Sequence, residues 1–214
     1  MNHRLGSAVL LAGLVLGSLG FPPCAAAQSL HLTFNIDEEI KSRDRAMPPD
    51  RIMDAIRLRP GMTVGEAGAW YGYYTFHLSR RVGPAGLVYA NDINPDALRT
   101  IEDRCAAGKI TNIKTVLGVA DDPRYPRSDL DLILVGDCLH MFEKPVEWMA
   151  NARKYLKPGG RLVIVDPDSS KMTASRGFLS KRQVWDFAKR AGYTVIEVDD
   201  GFLKNHMIII LQKL

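Results

Sequence analysis

The order of apolar and polar segments in this chain predicts a doubly wound α/β domain. Its sheet is mostly parallel, carries helices on both faces and is closed by one antiparallel hairpin. Three observations predict it. Short apolar runs that suit buried strands recur at 63–64, 87–90, 113–117, 130–135 and 162–165. Amphipathic helical patterns lie between them, and strands joined through helices run parallel with both faces covered. Two further strand patterns, 193–198 and 206–211, flank the turn-like Asp199-Asp200-Gly201. Too few residues separate that pair for a helical crossover, so it is expected to be antiparallel.

Each helix has its own signals. Pro48-Pro49 opens one with Ile52, Met53 and Ile56 on one face, ended by Arg59-Pro60-Gly61. A second spans 71–82, with Tyr74 and Leu78 four apart. Pro95 begins a third, reaching Ala107, and Pro145 a fourth, with Met149, Ala152 and Leu156 on one side and Lys157-Pro158-Gly159-Gly160 as its terminator. The last spans 181–191 and turns Val184, Phe187, Ala188 and Ala191 inward.

The 214 residues suffice for one domain with a sizeable core, and 46% hydrophobic content argues against disorder. Residues 1–27 stand apart: a basic start with Arg4, an uncharged apolar run, Pro22-Pro23, then Ala25-Ala26-Ala27. This array reads as a secretory signal peptide cleaved after Ala27, giving an exported protein, periplasmic or secreted if bacterial. An uncleaved anchor and a lipoprotein at Cys24 are the alternatives; Phe21-Pro22-Pro23 suit the latter poorly. After cleavage no stretch approaches the roughly 20 apolar residues of a membrane span. Residues 28–47 are read as an N-terminal surface extension, and 48–214 as the domain. A formal charge of +4 without a dense basic run gives no reason to expect nucleic acid. Cys105 and Cys138 are expected to stay unpaired, and no spacing suggests a metal site. The oligomeric state is not legible.

In such sheets ligands bind beyond the carboxyl ends of the strands, where strand order reverses. Residues 66–72, EAGAWYG, follow the first strand and lead into a helix. Glycine there permits a tight turn and close backbone approach. Asp92 ends the second strand 20 residues after Gly72, a spacing that suits a carboxylate accepting ribose hydroxyls. The dinucleotide pattern G-x-G-x-x-G fails, because Trp70 and Tyr73 occupy its later glycine positions, and the phosphate-loop pattern is absent.

These segments, with residues 58–64 (LRPGMTV), 72–76 (GYYTF), 82–90 (VGPAGLVYA), 92–95 (DINP), 131–134 (DLIL) and 156–165 (LKPGGRLVIV), resemble the class I S-adenosylmethionine-dependent methyltransferases. The likeness spans nearly all of 48–214 and is greatest to the small-molecule branch related to quinone-biosynthesis enzymes. It implies a Rossmann-like, seven-stranded methyltransferase fold, S-adenosyl-L-methionine as cofactor and a small-molecule substrate. It also implies roles: Glu66 as the acid that opens the glycine motif, Gly68 and Gly72 as its glycines, and Asp92 on the ribose. Ala120 and Asp121 fall near the adenine, although Val119 stands where an Asp or Asn is common.

One departure matters. Trp70 replaces the middle glycine of the motif. Its ring either fills the cofactor pocket, where overpacking costs about 1–3 kcal/mol, or turns away or stacks on a ligand. The first case fits an exported, non-catalytic binding protein that has lost its cofactor; the second fits a working methyltransferase. An exported enzyme also needs a supply of a cofactor that is made in the cytoplasm. Beyond the fourth strand, His140 is the candidate base and Asp137 its companion in acceptor binding. The alternatives are backbone bonding for His140 and polar capping for Asp137. Asp166 and Asp168 sit at the same edge of the sheet, touching the acceptor or shaping a loop.

Overall fold

The computed structural model describes residues 36–173, 177–199 and 201–213. Cys24 and the segment read as a signal peptide lie outside the described residues. Seven strands form one sheet: β1 (Thr63–Ala67), β2 (Leu87–Asp92), β3 (Ile113–Leu117), β4 (Leu130–Gly136), β5 (Leu156–Pro167), β6 (Tyr193–Asp199) and β7 (His206–Lys213). Their order is β3-β2-β1-β4-β5-β7-β6. The first five are parallel, whereas β7 runs antiparallel between β5 and β6. The order reverses between β1 and β4, so the crevice expected to hold a ligand opens there.

Helices α1 (Ile36–Ala46), α2 (Pro49–Ala55), α3 (Tyr73–Val82), α4 (Pro95–Gly108), α5 (Pro145–Ala152) and α6 (Lys181–Arg190) complete the chain. Local chemistry starts α4 and α6 where the sequence predicts, whereas α3 begins at Tyr73, two residues later than expected, and α1 was not expected. The Asn94 side chain accepts the Asp96 N–H at 2.9 Å and Pro95 takes the first helical position of α4. Ser180 and Gln183 form a capping box on α6. Two apolar layers sandwich the sheet. Ile133, Val135, Ile164 and Ile209 face α5 and α6 with Trp148, Met149 and Val184. Leu132, Leu134, Val163 and Val165 face α2 and α3 with Ile52, Met53 and Leu78.

Several expectations change. Helix α5 stops at Ala152, and a 3-10 turn over Arg153–Tyr155 leads into β5 at Leu156. Leu156 is thus a strand residue opposite Leu130, not the last face of a helix. Gly159, with φ of +74°, and Gly160 form an irregularity within β5 rather than a helix terminator. A Cβ at Gly160 would meet the Leu130 carbonyl oxygen at 2.8 Å, so close strand approach explains that glycine. The segment before the domain is not simply draped over the surface. Part of it is α1, whose Arg43 and Asp44 reach in towards β4 and α3. Phe187 on α6 is only half-buried, whereas Val184, Ala188 and Ala191 are fully packed.

Candidate functional site

Beyond the carboxyl ends of β1, β2, β3 and β4 lies a cavity of about 580 Å³, its open mouth included. Gly68, Asp92, Val119, Ala120, Phe142 and Trp148 are among its lining residues. The wall is thus largely apolar, with two carboxylates, Asp92 and Glu143.

The β1 exit shapes the floor. Gly68 has φ of +68°, and a Cβ there would meet Cys138 Sγ at 2.5 Å, so the close packing of this turn on β4 requires glycine. Cys138 in turn donates to the Ala67 carbonyl at 3.1 Å and, like Cys105, forms no disulfide. The turn closes when the Gly72 N–H donates to the Ala69 carbonyl at 2.8 Å. Gly72, at φ of +90°, then serves as the N-cap of α3. Trp70 lies between them with φ of +48°, in the left-handed region. That is the physical reason a glycine suits this position. The indole points outward, 54% exposed, and packs against Tyr71 with centroids 4.5 Å apart. It lies outside the cavity wall; what Trp70 supplies is its backbone N–H, which donates to Asp92 Oδ2 at 2.8 Å.

Asp92 takes a second backbone bond, from the Asn94 N–H to Oδ1 at 2.9 Å. The two bonds fix the carboxylate at the cavity edge. A carboxylate offers about four lone-pair positions, so acceptor capacity remains for two hydroxyls. This chemistry, the apolar wall and the Gly68 cradle fit the nucleoside part of S-adenosyl-L-methionine. Ala120 lines the same wall, next to Val119. Asp121 does not: its carbonyl accepts the Asn151 amide at 2.7 Å. Glu66 is also outside the cavity. It is 2% exposed and accepts the Thr75 hydroxyl at 2.5 Å. Burial pushes its carboxyl up to about 8, against the Thr75 hydrogen bond and the Arg43 charge.

At the β4 exit, Asp137 and His140 part company. Asp137, with φ of +54°, is clasped by Arg43 of α1. It accepts the Tyr74 hydroxyl at 3.4 Å and has His206 Nε2 3.0 Å from Oδ1, out of line for a full hydrogen bond. Burial acts to raise its pKa, but His206 and Arg43 outweigh that and hold it below the usual carboxylate range. Such an anion is a poor base. His140 instead packs its imidazole on Phe178, with centroids 4.9 Å apart. Its Nδ1 lies 3.0 and 3.2 Å from the two oxygens of Asp166. Asp166 is fully buried, and burial pushes its carboxyl up to about 6. Asp168 shapes a loop, accepting the Ser170 N–H at 3.0 Å.

Arg43, His206 and Trp148 were not foreseen. Arg43 sits in a polar stretch without periodicity, and His206 reaches the site only because β7 inserts beside β5, opposite Pro167. A register of that kind has no local sequence signal.

The profile of a family described as "Methyltransferase domain" matches residues 58–199. The chain belongs to this methyltransferase-domain family. Among its relatives, the ubiquinone/menaquinone biosynthesis C-methyltransferase UbiE of Vibrio vulnificus is 30% identical over 115 residues, 53% of this chain and 44% of that protein. Nocamycin O-methyltransferase of Saccharothrix syringae is 26% identical over 117 residues, 55% and 42% of the two chains. The chain therefore spans less than half the length of these curated relatives. A SAM-dependent methyltransferase from Aquifex aeolicus superposes with a TM-score of 0.76 at 22% identity, over 83% of this chain and 98% of that one. The [4+2]-cyclase SpnF gives 0.69 at 13%, covering 81% of each. At these identities both structures share the methyltransferase fold with this chain.

Proposed function

We propose that this family member is an S-adenosyl-L-methionine-dependent methyltransferase acting on a small molecule, and that it works after export. The carrying observation is the cavity at the β1/β4 switch point, where Asp92 is held by two backbone N–H groups beside an apolar wall. Gly68 and the Trp70 N–H form the turn beneath the cofactor, Asp92 takes the ribose, and Val119, Ala120 and Trp148 enclose the adenine. Bound there, the cofactor supplies an electrophilic methyl group. The protein's part is to orient an acceptor towards it, for which positioning does most of the work. The outward Trp70 ring speaks against the packing objection to cofactor binding, which was one ground for a non-catalytic reading; the cofactor supply of an exported enzyme was the other.

Export rests on the basic, apolar and small-residue order of 1–27. Among the described residues no helix is long and apolar enough to cross a membrane. Calorimetric titration with S-adenosylmethionine and S-adenosylhomocysteine tests the first proposal. Micromolar binding lost in Asp92→Ala supports it; a folded protein that takes up neither ligand at millimolar concentration refutes it. Sequencing the mature N-terminus from fractionated cells tests the second. A product found only in the cytoplasm and still beginning at Met1 refutes export.

A further inference from the structure

We propose that Glu143 reads the base of the cofactor, accepting the exocyclic amine of adenine from the β4 side of the cavity; this deepens, and rests on, the methyltransferase reading. The family resemblance places Ala120 and Asp121 near the adenine, and the structure keeps only Ala120 there. The Val119 N–H donates to the Asp122 carbonyl at 2.9 Å, and the Asp122 N–H returns to the Val119 carbonyl at 3.2 Å, so residues 119–122 form a tight turn. Val119 and Ala120 line the cavity; Asp121 does not. The Asp121 carbonyl accepts the Asn151 amide of α5 at 2.7 Å, and the Asp122 carboxylate accepts the Tyr155 hydroxyl at 2.6 Å. These two bonds tie the turn to α5 and to the 3-10 turn that follows it. The slot for the base is left without a carboxylate on its β3 side.

Glu143 supplies one from the β4 side. Asp92, the other carboxylate of the lining, is fixed by the Trp70 and Asn94 N–H groups at the ribose end. The two arrive from β4 and β2, the strands that flank β1. Glu143 lies two residues ahead of Pro145, where α5 begins, and next to Phe142, whose ring meets that of Trp148 edge-on with centroids 5.0 Å apart. Phe142, Trp148, Val119 and Ala120 thus make one apolar slot, with Glu143 as the charged group on its wall. The Glu143 side chain is exposed and has no hydrogen bond or ion pair among the described residues. A carboxylate accepts hydrogen bonds and donates none. Adenine has one N–H donor group, the exocyclic amine, on the edge remote from the ribose. The cofactor's ammonium lies on the methionine tail, across the ribose from the base. With the ribose end already taken by Asp92, a carboxylate in the base slot meets the amine. A purine with a carbonyl at that place turns a lone pair towards Glu143 instead and is disfavoured.

The test is calorimetric titration of the full chain with S-adenosylhomocysteine and with S-inosylhomocysteine, in which a carbonyl oxygen replaces the exocyclic amine. The wild type is expected to bind the inosine ligand at least about tenfold more weakly, since a charge-assisted hydrogen bond gives way to two facing acceptors. Glu143→Gln is expected to bring the two affinities within about threefold of each other, because an amide both donates and accepts. Asp121→Ala is expected to keep the wild-type ratio. Both positions are open or partly open, so the variants are expected to fold. Equal binding of the two ligands by the wild type, a Glu143→Gln variant that keeps the ratio, or an Asp121→Ala variant that loses it overturns the proposal. Wild-type protein that does not bind S-adenosylhomocysteine overturns the underlying methyltransferase reading instead.

Discussion

Replacing Trp70 by Gly tests whether the motif's unusual indole obstructs the cofactor. The structure places the ring in solvent, 54% exposed, with Tyr71 as its aromatic neighbour and φ of +48° at its backbone. Three contributions to stability nearly cancel. Relief of the left-handed backbone gains about 1–2 kcal/mol. Added freedom of the unfolded chain costs about 0.5–1 kcal/mol, and loss of the ring pair about 0.5–1.5 kcal/mol. The net change should stay within about 1 kcal/mol, a Tm shift below about 4 °C. Since the Trp70 N–H to Asp92 remains in the variant, the affinity for S-adenosylhomocysteine should move by less than threefold, read by calorimetry. A ring packed into the site would instead cost about 1–3 kcal/mol, and its removal would tighten binding roughly ten- to hundredfold. Tightening of that size refutes the outward placement.

Two further outcomes follow from buried charge. Glu66 has a folded-state pKa of about 8, above its ordinary 4.5, so its contribution to stability is fully present below 4.5 and is lost as pH rises through 8. Glu66→Gln cannot ionise and should gain about 4 kcal/mol on wild type between urea melts at pH 5 and pH 9; parallel pH profiles would contradict the burial of this acid. Asp137 has the opposite sign: its pKa is depressed, so its stabilisation exists above the ordinary carboxylate value and disappears as pH falls through the folded one. Arg43→Ala, which removes the partner of a mostly buried pair, should cost about 1–3 kcal/mol at pH 7 and little near pH 2. A cost that does not change with pH would show that Arg43 acts through packing on Tyr73 alone.

The strands and helices were legible because their causes are local. Pro95 behind Asn94, Ser180 with Gln183, and uninterrupted apolar runs such as 130–135 act within a few residues. Asp92 and Gly68 were legible for a related reason: strand ends and tight turns leave marks in composition. What escaped depends on contacts distant in sequence. Leu156 fits the apolar face of a helix as well as a strand, and only its pairing with Leu130 decides. Asp137 and His140 looked alike as polar residues beyond one strand. Their difference comes from Arg43 and His206 on one side and Asp166 on the other, all brought in by other elements. Trp70 was misleading in one respect, since glycine at that place answers a backbone angle more than a shortage of room.

The insertion of β7 between β5 and β6 has a consequence for how the chain folds. Within the sheet β6 pairs with β7 and not with β5, so it joins only through a strand that follows it in sequence. The two strands are close neighbours along the chain, and a hairpin of that kind can form early on its own. Until it docks, β5 presents an open edge whose residues include Leu162, Val163, Ile164 and Val165, all buried in the finished sheet. An edge so apolar is a template for pairing between molecules. Docking the hairpin covers that edge and, in the same movement, delivers His206 to Asp137. The step that protects the chain from self-association therefore also completes the polar wall beside the site.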